Sequence, residues 1–165
     1  MHQPCGSAGP RVTLRPGQAA DAAALARIFL AARGSAQPRF AEPHGEPAVA
    51  AWLEGVLLAR HRVTVAAVDG AAIGYLGLDA AAAEILHLYV APPWQRQGIG
   101  ASLLHQAQAA LPSGLGLIVF EANHAARAFY ERHGFRAGAF RPGTANEEGV
   151  PDIRYVWSPT RPKLT

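Results

Sequence analysis

The stretch Glu-Ile-Leu-His-Leu-Tyr-Val-Ala-Pro-Pro-Trp-Gln-Arg-Gln-Gly-Ile-Gly-Ala-Ser-Leu-Leu, residues 84–104, combines three kinds of local structure. Residues 85–90 form an apolar run, rich in β-branched and aromatic side chains and of strand length. The prolines at 92 and 93 end that strand, because they remove backbone donors and restrict the residues before them. A helical pattern follows in Ile99, Leu103, Leu104 and Ala107. The stretch therefore predicts a strand, a tight turn and a helix.

The turn carries the pattern Gly-x-Gly at Gly98 and Gly100, and this pattern favours an anion site. Amides at a helix N-terminus point at one spot, the helix dipole adds partial positive charge, and glycine lets the backbone approach a phosphate. Arg96 adds a formal charge. Leu103 excludes the dinucleotide pattern Gly-x-Gly-x-x-Gly, and no P-loop lysine follows. A helix that starts after glycine and binds nothing remains an equal alternative from this loop alone.

Composition narrows the class of protein. The chain has 165 residues, of which 16% are charged, with a net charge of +3. This predicts one globular domain over residues 11–158, with tails at 1–10 and 159–165. Without a Lys/Arg run or a membrane-length apolar run, neither a nucleic-acid partner nor a membrane partner is expected. Cys5, the single cysteine, favours a cytoplasmic location.

The remaining patterns predict the element order β-α-α-β-β-β-α-β-α-β-β. The strands are expected at 12–15, 62–68, 72–78, 85–90, 114–121, 135–140 and 153–157, and the helices at 21–32, 48–60, 99–111 and 123–133. Asp69-Gly70 is a hairpin signal, Asn123 a helix cap and Gly134 a helix end. The fold class is therefore α/β (α+β), with a mixed, mostly antiparallel sheet, one parallel pair and helices on both faces.

Two motifs in this order resemble those of the GNAT superfamily of N-acetyltransferases. The first is Leu88-Tyr89-Val90 followed by Gln95-Arg96-Gln97-Gly98-Ile99-Gly100-Ala101, which is similar to the acetyl-CoA signature Gln/Arg-x-x-Gly-x-Gly/Ala. The second runs from Asn123 to Phe135 and is similar to Asn-x-x-Ala-x-x-Phe-Tyr-x-x-x-Gly-Phe. The resemblance covers about residues 11–157 and implies a GNAT-like sheet whose parallel strands splay apart.

The resemblance implies acetyl-CoA as the acyl-donor substrate and assigns residues to it. The loop from Gln95 to Ala101, with Ser102, would hold the pyrophosphate. The backbone of Leu88, Tyr89 and Val90 would pair with the pantetheine arm. Asn123 would hydrogen-bond that arm, and Ala126 and Phe129 would line its slot. The cofactor-binding residues are thus Leu88, Tyr89, Val90, Gln95, Arg96, Gln97, Gly98, Ile99, Gly100, Ala101, Ser102, Asn123, Ala126 and Phe129.

Transfer of an acetyl group to an amine needs a base, an acid for the leaving thiolate and a donor for the oxyanion. By resemblance Tyr130 is the acid, and its alternative is a packed core aromatic. Glu84 is the base acting through water, and its alternative is a solvated strand-end carboxylate. Strand alternation places His87 and Tyr89 on the face of Ile85, and a packed His87 is favoured over a base. His44 is a weaker site candidate.

The sequence determines the residues that bind the acceptor amine less well than those that bind the cofactor. By analogy with the family, residues 38–52 and 141–152 flank it, and Glu147 and Glu148 could attract a cationic amine or form a solvated loop. No metal is expected, since the histidines lack ligand spacing. The predicted function is direct acetyl transfer to a primary amine in a ternary complex, without an acyl-enzyme on Cys5. The alternatives are a non-catalytic CoA-binding sensor or an enzyme using a longer acyl-CoA. A homodimer formed through an exposed strand edge or through the C-terminal strands is compatible with the sequence.

Overall fold

A computed structural model of the protein describes residues 9–39 and 42–159. Most of both predicted tails, including Cys5, lies outside these ranges. Within them, the chain forms strands β1 Val12–Pro16, β2 Arg62–Val68, β3 Ala71–Asp79, β4 Glu84–Val90, β5 Leu115–Phe120, β6 Arg136–Arg141 and β7 Asp152–Trp157. The helices are α1 Ala22–Ser35, α2 Glu46–Trp52, α3 Ile99–Ala110 and α4 His124–Arg132. After α2, the chain continues as a π-helical segment over Leu53–Leu58.

The strands form one sheet in the order β1-β2-β3-β4-β5-β7-β6. Strands β4 and β5 run parallel, and the other neighbouring pairs of this sheet run antiparallel. Asp69 and Gly70 have positive φ angles of 50° and 81°, as a tight hairpin turn between β2 and β3 requires. The predicted mixed, mostly antiparallel sheet with one parallel pair is confirmed.

Each face of the sheet packs on its own pair of helices. On one face, α1 and α2 bury Leu25 and Phe29 against Val65 and Tyr75. On the other face, α3 buries Leu103 and Leu104 against β3, β4, β5 and β7, and α4 packs Phe129 and Tyr130 beside them. Alternate strand residues therefore belong to different cores, as the two-residue repeat of a strand requires. This arrangement matches the predicted helices on both faces.

One prediction about β4 is wrong. Gly77 pairs with His87, but the next residue of β3, Leu78, pairs with Ile85, so Leu86 is an extra residue in β4. Such a β-bulge reverses the alternation of side chains beyond it. Ile85 therefore lies on the α3 face, whereas His87 packs on the α1 face. The sequence alternation had placed both residues on the same face.

The connection between β6 and β7 is fixed by a buried carboxylate. Asp152 is 1% exposed. It accepts two hydrogen bonds from Arg141, at 2.7 and 2.8 Å, and one from the amide of Asn146 at 3.0 Å. Asn146 also bonds the backbone of Val150 in both directions. The acidic loop of residues 141–152 is therefore internally bonded.

We expect Asp152→Asn to lower the free energy of unfolding by about 1–2 kcal/mol at pH 7, because Arg141 loses a charged partner but stays partly exposed to water. Hydrogen bonds from Arg141, above all, lower the pKa of Asp152. Its contribution is therefore present above the ordinary carboxyl pKa of about 4 and is lost as pH falls through the native value. Urea unfolding at pH 7 and pH 3 measures this difference.

The matched control is Glu54→Gln, which removes an exposed carboxylate from the segment after α2. Its effect should stay within about 0.5 kcal/mol. A difference between the wild type and Asp152→Asn that grows towards acid pH would contradict the assigned role of the Arg141 pair.

Candidate active site

The glycine-rich turn before α3 has the geometry of an anion site. Gly98 caps the helix with a φ of 81°, and Arg96 has a φ of 65°. A left-handed arginine is strained, and such strain concentrates at functional sites. The first bond of the helix runs from the Ser102 amide to the Gly98 carbonyl, at 3.0 Å. The amides before Ser102 in the first turn have no acceptor within the helix and can bind an external anion.

Several polar side chains of this loop support the loop itself. Gln95 donates to the Val90 carbonyl at 2.9 Å, and Gln97 donates to the Pro93 carbonyl at 3.1 Å. The Ser102 hydroxyl donates to the Gly98 carbonyl at 3.1 Å. These bonds hold the strand end, the turn and the helix start in a fixed relation.

A cleft of about 570 Å³ opens beside this loop, where β4 and β5 diverge. The two strands pair only at Glu84 and Gly116 among the described residues. Of the predicted site residues, the cleft is lined by Leu88, Tyr89, Val90, Gln95, Arg96, Gly98, Gly100, Ala101, Asn123, Ala126, Phe129 and Tyr130. Gln97, Ile99, Ser102 and Glu84 are not among its lining residues. Ile99 instead belongs to the core, at 4% exposed.

Helix α4 forms the wall opposite α3. The Asn123 side chain accepts a hydrogen bond from the Ala126 amide at 3.1 Å and so caps the helix, as predicted. Phe129 lies close to Gly100, so that a Cβ added at Gly100 would sit 3.5 Å from the ring. The start of α3 therefore lies beside the Phe129 side chain of α4, at an ordinary van der Waals distance.

Tyr130 lies on the cleft wall, half-buried between the rings of Phe129 and Phe135, with centroids 5.2 and 5.5 Å away. Burial, and after it the neighbouring Tyr89 hydroxyl, raises the pKa of Tyr130 well above its usual range. The phenol therefore stays protonated at neutral pH and can donate a proton or a hydrogen bond.

Glu84 lies at the closed end of the gap, where β4 still pairs with β5. Its carboxylate forms an ion pair with Arg154 of β7. The absent side chain of Gly116 makes room for this pair, since a Cβ there would lie 3.2 Å from the Glu84 carboxylate. Along β4, Glu84 is roughly 12 Å from Leu88. Any chemical role of this carboxylate at the cleft therefore requires intervening water.

The end of the cleft on the α1 side contains a buried arginine. Arg33 is 8% exposed. Its guanidinium lies 5.3 Å from the Phe29 ring centre and 5.9 Å from that of Phe120. It pairs with Glu42 at 3.7 Å and with Glu148 at 3.5 Å. The two segments expected to flank the acceptor, residues 38–52 and 141–152, thus meet at this guanidinium.

The two candidate histidines lie elsewhere. His87 is stacked between Phe29 and Trp52, with centroids 5.6 and 5.4 Å away, and its Nδ1 is 2.9 Å from the Tyr75 hydroxyl. Burial lowers the pKa of His87 to about 4, so the ring is neutral at pH 7. His44 is exposed, and its amide donates to Glu42. Neither ring is among the residues that line the cleft.

Sequence reasoning missed several lining residues, namely Arg33, Trp94, Phe120, Arg132 and His133. A signal existed for two of them: Arg132 and His133 follow Phe129 by three and four positions, which places them on the same helix face. Arg33 and Phe120 carried no such signal, because tertiary folding brings α1 and the end of β5 together.

Residues 9–39 and 42–159 contain neither a metal-binding group nor a membrane-spanning helix. In these ranges, no three His, Cys, Asp or Glu side chains come together as a group able to hold a metal ion. None of the helices in the same ranges has the length and apolar character needed to cross a membrane.

Comparison with known proteins agrees with this geometry. Residues 59–137 match the family model of the acetyltransferase (GNAT) domain. The fold is similar to that of apo YjaB from Escherichia coli, with 17% identity, 89% of this chain and 97% of the other covered, and a TM-score of 0.73. A search of curated proteins for sequence relatives gave no match.

Two further solved structures are similar in fold. The ribosomal-protein-S18-alanine N-acetyltransferase of Escherichia coli is 22% identical, with 94% of this chain and 99% of that chain covered and a TM-score of 0.66. The PaiA N-acetyltransferase of Thermoplasma acidophilum, in complex with coenzyme A, is 18% identical, with 90% and 99% covered and a TM-score of 0.70.

The family match spans the glycine-rich loop and α4, which carry the two motifs. Residues 59–137 are thus similar in sequence to the GNAT acetyltransferase domain, and the described fold is similar to that of solved N-acetyltransferases. The resemblance predicted from the two motifs is confirmed.

Proposed function

We propose that this protein transfers the acetyl group of acetyl-CoA to a primary amine by direct attack in a ternary complex. The observation that carries the proposal is the cleft between β4 and β5, which ends on the open amides of α3. Its volume of about 570 Å³ lies within the ordinary range of ligand sites.

The charge of the cleft suits an anionic ligand. Arg96 and Arg132 are among its lining residues, whereas the lining Arg33 is paired with Glu42 and Glu148, and no aspartate or glutamate is found in the described lining. In the proposal, the first-turn amides of α3 and Arg96 hold the pyrophosphate of coenzyme A. Amides fixed by the helix and a neighbouring guanidinium need little rearrangement to bind a phosphate.

The arm of the cofactor would run along the edge of β4 that faces the gap. Beyond Glu84, no strand of the described sheet pairs with this edge, so its backbone groups can bond a ligand that carries amides. Leu88, Tyr89 and Val90 would supply these groups, with the Asn123 side chain donating from the opposite wall. Ala126 and Phe129 would pack along the arm.

The chemistry follows from this placement. The neutral amine attacks the thioester carbonyl carbon, a backbone amide of residues 88–90 donates to the oxyanion, and the carbon–sulfur bond then breaks. In the proposal, Tyr130 gives its proton to the leaving thiolate, since burial raises its pKa and keeps the phenol protonated at neutral pH. In the proposal, Glu84 is the base. It takes the proton of the amine through water, which reaches the carboxylate beside its ion-pair partner Arg154.

The first test is Tyr130→Phe, assayed by thiol release from acetyl-CoA with a panel of primary amines. We expect kcat to fall by about 100-fold or more, because protonation of the thiolate is lost, with affinity for coenzyme A unchanged. The control Tyr155→Phe removes a buried hydroxyl, bonded to Glu131 at 2.6 Å, that is not part of the cleft lining.

Two results would contradict this assignment. If Tyr130→Phe keeps full turnover, Tyr130 is only a packed aromatic. If the wild type binds coenzyme A but releases thiol with none of the amines or acyl donors, the chain is a binding module. Faster release from a longer acyl-CoA than from acetyl-CoA would correct the proposed donor.

The second test compares Glu84→Gln with Arg154→Gln. If Glu84 is the base, Glu84→Gln lowers kcat by about 100-fold. Arg154→Gln leaves the carboxylate in place and should retain most of the turnover. A purely structural ion pair predicts instead that both variants lower the unfolding free energy and change kcat to the same small extent.

A further inference from the structure

The side chain of Tyr89 faces away from the proposed cofactor slot. Leu88 and Val90 pack on the α3 side of the sheet, whereas Tyr89 packs on the α1 side, 5.0 Å from the Phe29 ring. Yet Tyr89 also lines the cleft. The cleft therefore reaches both faces of the sheet at the divergence of β4 and β5, and Tyr89 belongs to the end near α1.

The Arg33 guanidinium lies beside Tyr89, because both side chains contact the Phe29 ring, at 5.3 and 5.0 Å from its centre, and both line the cleft. The guanidinium is fixed by the faces of Phe29 and Phe120 and by carboxylates from two separate segments. A planar guanidinium held on several sides loses little freedom when it makes a further hydrogen bond. A guanidinium held in this way is suited to fix a phenol that lies next to it.

Direct transfer requires that the cofactor and the amine reach the same thioester carbonyl carbon from two different sides. The proposed cofactor enters along α3 and α4, so the amine has to arrive from the side that these helices leave open. That side is formed by Tyr89, by Phe120 and by lining residues from the end of α1 and directly after it, within 32–37. This step rests on the proposed function, since it assumes that the cofactor occupies the slot beside α3.

We propose that the Tyr89 hydroxyl binds the acceptor amine and that Arg33 is the positioning residue for this hydroxyl. The phenol oxygen has two lone pairs. One accepts from Arg33, and the other accepts an N–H of the amine, which leaves the nitrogen lone pair directed at the thioester carbonyl. Fixing a nucleophile in this way lowers the entropic part of the barrier.

The electrostatics agree with a binding role and not with a base. Burial is the main cause that raises the pKa of Tyr89, and the lowering by Arg33 is smaller. The phenol is neutral at neutral pH and acts through hydrogen bonds. Glu42 and Glu148 pair with the same guanidinium, and their charges also raise the pKa of Tyr89.

The experiment measures acceptor and acetyl-CoA kinetics of Tyr89→Phe with the best amine found by thiol release. We expect kcat/KM for the amine to fall by about tenfold while KM for acetyl-CoA is unchanged, because the ring and the β4 backbone are retained. The control is Tyr75→Phe: Tyr75 pairs directly with Tyr89 across β3 and β4 but does not line the cleft.

Arg33 is tested by Arg33→Met and by the conservative Arg33→Lys. If Arg33 acts through Tyr89, Arg33→Met reproduces the loss in kcat/KM for the amine, Arg33→Lys restores part of it, and Tyr89→Phe causes no further loss in either background. The control Arg27→Met removes an exposed arginine of the same helix.

Each possible outcome of these experiments either supports the proposal or overturns it. Equal weakening of acetyl-CoA and amine, or unchanged amine kinetics in Tyr89→Phe, overturns the role of Tyr89 and leaves acetyl transfer intact. Additive losses overturn the positioning role of Arg33. Absence of turnover with every amine in the wild type overturns the proposed function and this inference with it.

Discussion

The divergence of β4 from β5 is the constraint on which the rest of the site depends. The two strands pair at Glu84 and Gly116 and then separate, while β4 stays paired with β3 as far as Val90 and β5 with β7 as far as Phe120. Each strand is therefore held from its outer side, and the facing edges expose backbone donors and acceptors to the gap. Such edges attract another chain unless something covers or fills them. A ligand that carries amides satisfies them in the way a further strand would.

The same divergence explains why the helices on the two faces of the sheet line different regions of the cleft. Helices α3 and α4 lie on one face, where the open amides of α3 and the side chains of Asn123 and Phe129 form a narrow slot. The end of α1 lies across the other face, where Arg33 joins segments that are distant in the chain. One opening in the sheet thus connects an anion-binding region with a separate region suited to a second substrate.

Much of the frame was predictable from local sequence. The prolines after β4, Gly98 and Gly100 define the turn before α3, and Asn123 defines the start of α4, because each acts through its own backbone geometry. The motif residues on the cleft wall follow from the same segments. The lining residues Arg132 and His133 were within reach of helical spacing from Phe129.

The remainder depends on tertiary structure. The bulge at Leu86 arises from pairing with β3, and a single strand carries no sign of it, so Ile85 was incorrectly placed on the same face as His87. The ion-pair partner of Glu84 is a residue of β7, some 70 positions away. The local sequence around a carboxylate at a strand end is the same whether or not such a partner exists. Arg33 looked like an ordinary basic residue near the end of a helix, until folding placed it between Phe29 and Phe120.

The central claim is that the gap between β4 and β5 is the cofactor slot. A crystal structure of the protein with coenzyme A tests it most directly. The account predicts the pyrophosphate on the first-turn amides of α3 and the pantetheine arm bonded to the backbone of Leu88, Tyr89 and Val90. Coenzyme A bound outside the gap, or β4 and β5 closed upon each other in the complex, would contradict it.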